Sequence, residues 1–172
     1  MNKYKNLSNQ VSELYQEMDK SSKTYKETHK LSCVSKCNHC CKNSNVSATP
    51  LEMIPLAMYL IESGKVPSDE QLDKDTCIFS TKMCSVYSYR PTVCRLFGWV
   101  KVSGKVEDRL AICPKVQTVT GKLTVTDAPD IELFALKVKE LYPQLGSQIL
   151  PINQALKEIL NIIKDYNSYS KV

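Results

Sequence analysis

The sequence is poor in the residues on which most catalytic sites are built. It has only two histidines, His29 and His39, which leaves little capacity for general acid–base work. No Ser-His-Asp set and no paired carboxylates stand out. Its five glycines form no nucleotide-type or S-adenosylmethionine-type loop. Long apolar runs are also missing, and no stretch approaches the ~20 apolar residues that span a bilayer. The opening MNKYKNLSNQVSELYQEMDK lacks the apolar core of an export signal. These absences lead us to expect a cytoplasmic chain in a reducing compartment, where disulfides are rare and thiols stay free or bind metal. The charge excess is mild: 23 basic against 18 acidic residues, interspersed, for a net +5. Neither a nucleic-acid nor a membrane partner is expected from it.

What is present is ordinary in bulk. With 172 residues, 42% hydrophobic and 24% charged, the chain suits a single domain able to bury a core without staples. Tyr4, Leu7, Val11, Leu14, Met18, Ser21 and Tyr25 alternate at steps of three and four. That spacing predicts an N-terminal helix over 1–32, packed on the body of the domain. Residues 33–48 lack periodicity and read as loop. Thr49, Pro50 and Glu52 look like a capping box opening a helix that Gly64 ends, with Pro55 bending its first turn. A turn and short helix follow at 67–75. Residues 98–126 read as one or two short hairpins, with Val100 and Val102 facing away from Trp99, and further runs at Thr118 to Thr120 and Leu123 to Val125. Ala128-Pro129-Asp130 opens a helix to about Tyr142, which bears Ile131, Phe134, Leu136, Val138 and Leu141 and is ended by Pro143 and Gly146. Pro151 opens another, bearing Ile152, Leu156, Ile159, Leu160 and Ile163. The expected fold is mainly α with short β-hairpins (α+β), its helices set around an irregular cysteine-rich metal-binding centre. That centre spans 33–115, with a short hairpin and C-terminal helices over 116–172.

The abundance lies in thiols. Cys33, Cys37, Cys40 and Cys41 fall within nine residues, and Cys77, Cys84 and Cys94 within eighteen, with Cys113 alone beyond them. Metals take thiolate, and several sulfurs must converge at about 2.3 Å from one centre. The two-residue spacer lets Cys37 and Cys40 meet one ion. Adjacent side chains diverge, so Cys40 and Cys41 together fit a single tetrahedral ion poorly. Seven or eight thiols also exceed the four that one zinc or one four-iron cluster takes. Disulfides are the competing reading, and the even count favours them, but no export signal accompanies it. Cys113 reads equally as a ligand or as a small buried apolar residue. His39 inside the ligand loop is a ligand or a solvent-facing side chain, and His29 reads as exposed.

CVSKCNHCC and CIFSTKMCSVYSYRPTVCRLF resemble the YkgJ-type cysteine-cluster family (CxxCxxCC), a zinc- or iron-chelating domain. Cys37, Cys40 and Cys41 match its first segment, with Cys33 as an upstream cysteine three residues away instead of two. Cys77, Cys84, Tyr87, Arg90, Pro91, Cys94 and Arg95 match the second, with Val86 where Ile is usual. Cys113 looks like a later cysteine that many members carry. The resemblance covers roughly 33 to 115 and implies a multi-cysteine site for zinc, iron or an iron–sulfur cluster. One branch of the family, the flagellin lysine N-methylases, implies the alternative of an iron–sulfur enzyme that methylates protein lysine. Independently of family, Arg90 and Arg95 are candidates to offset thiolate charge and donate hydrogen bonds to sulfur. Pro91 would start the turn carrying Cys94. Tyr87 would pack its ring over the site. A third reading is a module that docks a protein partner through its N-terminal stripe or its C-terminal helices.

Overall fold

A computed structural model describes residues 2–33, 39, 41, 46–81, 83–118 and 123–169. Two of the proposed ligands, Cys37 and Cys40, lie outside the described residues. The first element is a long helix, α1 (Asn2–Thr28), which buries Tyr4, Leu7, Val11, Tyr15, Met18 and Tyr25. The expected stripe is therefore correct in outline. The exception is its middle, where Tyr15 is buried and Leu14 is only partly covered.

Short strands β1 (Leu31–Ser32) and β2 (Ser47–Ala48) follow. β2 corrects the loop expected through residue 48: it pairs antiparallel with β6 (Leu150–Pro151), far along the chain. Such a pairing leaves no local signal in the sequence. The capping-box bonds between Thr49 and Glu52 do form, at 2.8 and 3.2 Å. They close a turn, however, and α2 (Ile54–Glu62) begins two residues after Glu52. Pro55 thus sits in the first turn of α2, where its missing N–H costs nothing. At the other end the Lys65 amide reaches Leu60 O and the Gly64 amide reaches Ile61 O. Gly64 takes φ +67°, which is the left-handed residue such a C-cap needs.

The expected turn and short helix appear as α3 (Asp69–Leu72), capped by Ser68 and Gln71. A 3-10 turn at Tyr87–Tyr89 leads to α4 (Thr92–Leu96). Gly98, at φ +132°, then turns the chain into β3 (Trp99–Val102). β3 pairs with β4 (Arg109–Ile112) as the expected hairpin. No second hairpin follows among the described residues. β5 (Gln117–Thr118) pairs instead with β1, residues 119–122 lie outside the described ones, and Thr124 and Val125 are not in a strand.

α5 (Ile131–Leu141) buries Phe134 and Val138 but leaves Leu136 half exposed, which corrects its expected place on the apolar face. Pro143 does not merely end α5; it opens a one-turn helix, α6 (Pro143–Gly146). α7 (Ile152–Tyr169) follows directly from β6 and buries Ile152, Leu156, Ile159, Leu160 and Ile163, as the spacing predicted. One apolar core joins Tyr4 on α1 to Ile163 on α7, so the chain itself covers both terminal faces expected for docking. A smaller cluster of Tyr25, Leu31, Trp99 and Ala128 lies beside it. Among the described residues no helix is long and apolar enough to cross a membrane.

Two polar contacts tie these elements together and are testable. Asn153 on α7 is 2% exposed; its amide donates to Lys74 O and Thr76 O at 2.6 and 2.8 Å and accepts from the Ile78 amide. Truncation in Asn153→Ala leaves those groups unpaired and is expected to cost about 2–3 kcal/mol in chemical denaturation. Asp130 caps α5 through the Leu133 amide and pairs with Lys101 at 2.7 Å. Burial alone would raise its pKa, but the Lys101 ammonium and the Leu133 amide more than reverse this and hold the carboxyl below its usual 3.8. Its stabilisation is therefore present above about pH 4 and lost as pH falls through the depressed value. Asp130→Asn is expected to lose ~0.5–1 kcal/mol at pH 7. The variant and the wild type should converge in stability as pH falls below that depressed value.

Candidate metal centre

All six described cysteines line one cavity of about 550 Å3: Cys33, Cys41, Cys77, Cys84, Cys94 and Cys113. They arrive from four directions. Cys33 directly follows β1, which β5 holds in place. Cys77 ends the segment that Asn153 pins from α7. A tight loop joins Cys77 to Cys84: the Ser80 amide donates to Cys77 O, the Ser85 amide donates to Phe79 O, and Ser80 bridges Cys84. Cys94 rides on α4. Cys113 follows β4, with its amide donating to Gly98 O at 3.0 Å. Cys113 was read as either ligand or core, and the structure gives it both surroundings: it is 8% exposed and lies on the cavity wall.

The helix carrying Cys94 is held from two sides. At its start, the buried carboxylate of Glu52 accepts the Thr92 amide at 2.9 Å while also accepting the Thr49 amide. The backbone carbonyl of Glu52 accepts the Tyr15 hydroxyl at 2.6 Å. Burial pushes the Tyr15 phenol well above its ordinary pKa; neighbouring Glu52 adds to the rise and Arg95 opposes it. Tyr15 therefore remains a hydrogen-bond donor throughout the physiological range. At the other end of α4, the Arg95 side chain is 4% exposed. It donates to Asp19 at 2.5 Å, to Arg90 O at 2.7 Å and to Ser88 O, and it lies over the Tyr15 ring. Arg90 donates to Tyr87 O and Cys94 O and stacks on the Tyr87 ring at 3.4 Å. Both guanidiniums bond backbone carbonyls, and Arg95 also bonds Asp19, so they shape the cysteine-bearing backbone. Tyr87 is 63% exposed, at the rim of the cavity.

His39 is exposed and lines the cavity. His29 is not the exposed residue expected: it is partly buried, its ring 4.3 Å from that of Tyr25. A polar row on α1 also belongs to the site. Asp19, Ser22, Lys23 and Lys26 also line the cavity. Their i, i+3, i+4, i+7 spacing marks one helix face, beside the more conspicuous apolar stripe.

Among the described residues no three Cys, His, Asp or Glu side chains stand close enough to chelate an ion together. The donor set nonetheless fits zinc or iron, because six thiols share one cavity and soft sulfur donors select such metals.

Residues 32–114 match the model of the CxxCxxCC family, described as a "Putative zinc- or iron-chelating domain". The matched segment contains all eight cysteines. No curated protein and no solved structure matches the chain.

The mode of attachment of α4 can be checked without metal. Arg95→Lys keeps the charge but loses the planar fork that serves three acceptors. It is expected to cost about 1–3 kcal/mol in denaturant unfolding of the metal-free protein.

Proposed function

Since residues 32–114 carry the CxxCxxCC domain, we propose that this protein holds zinc or iron through thiolates drawn from both of its cysteine segments. The observation that carries the reading is the single cavity lined by every described cysteine. In this reading Cys33, Cys37, Cys40, Cys41, Cys77, Cys84 and Cys94 are ligands, and Cys113 is an eighth. Tyr87, Arg90 and Arg95 hold the backbone that presents them. A bound thiolate-held metal would cross-link the two segments and add its binding energy to folding. A reducing, cytoplasmic compartment suits so many thiols. The whole chain, terminal helices included, would then act as one domain around the site.

The surplus of thiols over the four that one ion takes favours a polynuclear load: more than one zinc or iron, or an iron–sulfur cluster. The cluster form is the second reading, and it is the one that would admit an iron–sulfur enzyme acting on protein lysine.

Anaerobic purification followed by elemental analysis and an optical spectrum tests both. The first reading expects at least one zinc or iron per chain, and a chelator should strip it with a clear loss of thermal stability. A ligand that is a thousandfold above its Kd stabilises by ~4 kcal/mol, which sets the expected scale. A brown, oxygen-sensitive sample selects the cluster. A metal-free chain that is fully folded with eight reactive thiols would contradict both readings.

A further inference from the structure

The polar row on α1 lies outside the matched segment 32–114, yet it forms a wall of the same cavity. Resting on the metal-holding reading above, we infer that Lys23 and Lys26 are charge-compensating residues of the site, supplying positive charge that offsets its thiolates. Four thiolates around one divalent ion carry a net charge of about −2, and more thiolates raise the demand. The described residues lining the cavity include four cations, Lys23, Lys26, Arg90 and Arg95, against one carboxylate, Asp19. Arg95 is committed to Asp19 and two carbonyls, and Arg90 to two carbonyls. The two lysines differ. Lys23 is 73% exposed, and the ion pair it makes with Glu27 is a loose surface contact of 3.8 Å. Lys26 is likewise exposed on the same face. Their ammonium groups are thus able to swing toward a negative centre, which the anchored guanidiniums are not.

This charge acts through space, so it has a salt signature that a packing role lacks. The test compares full-length wild type with the double variant Lys23→Gln/Lys26→Gln in competition for Zn2+ against a chromophoric chelator. A control variant, Lys3→Gln/Lys5→Gln, removes the same net charge. It does so at least about 27 Å up α1 from Lys23, at 1.5 Å per residue, which is beyond the screening length of about 10 Å at 0.1 M salt. The cavity variant is expected to bind Zn2+ about tenfold more weakly at about 0.1 M salt, in the range seen for groups around a metal's ligands. The deficit should shrink severalfold in 1 M salt, where screening acts within about 3 Å. The control variant should match wild type throughout. Equal affinity of the cavity variant and wild type, a deficit that salt leaves unchanged, or an equal deficit in the control each overturns the inference. Failure of the wild type itself to retain Zn2+ or iron contradicts the underlying reading, and is recognised by its independence of any lysine.

Discussion

The site depends on one buried cation. Arg95 leaves α4 and ends against α1, on Asp19 and over the ring of Tyr15, while its remaining donors clamp the carbonyls of Ser88 and Arg90. A guanidinium that is 4% exposed cannot be left unpaired without a cost of several kcal/mol. The long helix and the cysteine-bearing segment are therefore held at one separation. Glu52 provides the matching constraint from the other side, its buried carboxylate capping the start of α4. Between them, these two charges fix where Cys94 stands relative to the wall made by α1.

The other thiols inherit their places from similarly small devices. Asn153 fixes the approach to Cys77, a tight loop carries the chain on to Cys84, and two-residue strand pairings set Cys33 and β6. None of these devices is large. The cavity is an assembly of loops and short helices whose shape is imposed by the apolar core joining α1, α2 and α7. A bound metal would strengthen what the polar contacts begin, because it would draw the same segments together.

The helices were legible in the sequence because apolar side chains at spacings of three and four survive any tertiary context: α1, α5 and α7 follow from Val11, Val138 and Ile159 and their neighbours. The cysteine segments were legible through clustering alone. The short strands were not, because β2–β6 and β1–β5 join residues 102–104 and 85–87 positions apart and last only two residues each. Arg95 was singled out beside the cysteines, but its anchorage on Asp19 and two carbonyls was not legible, since sequence cannot say which acceptors a guanidinium meets. Glu52 was visible only as a local cap. Its longer reach to Thr92, 40 residues away, needs the fold. The cavity face of α1 was hidden by the apolar stripe beside it.

The central claim is that both cysteine segments serve one site. Mapping thiol alkylation in the metal-loaded protein, before and after chelation, tests it directly. The account predicts that cysteines from 33–41 and from 77–94 are protected together and become reactive together once the metal is removed. Protection confined to one segment, with the other reactive throughout, would contradict it.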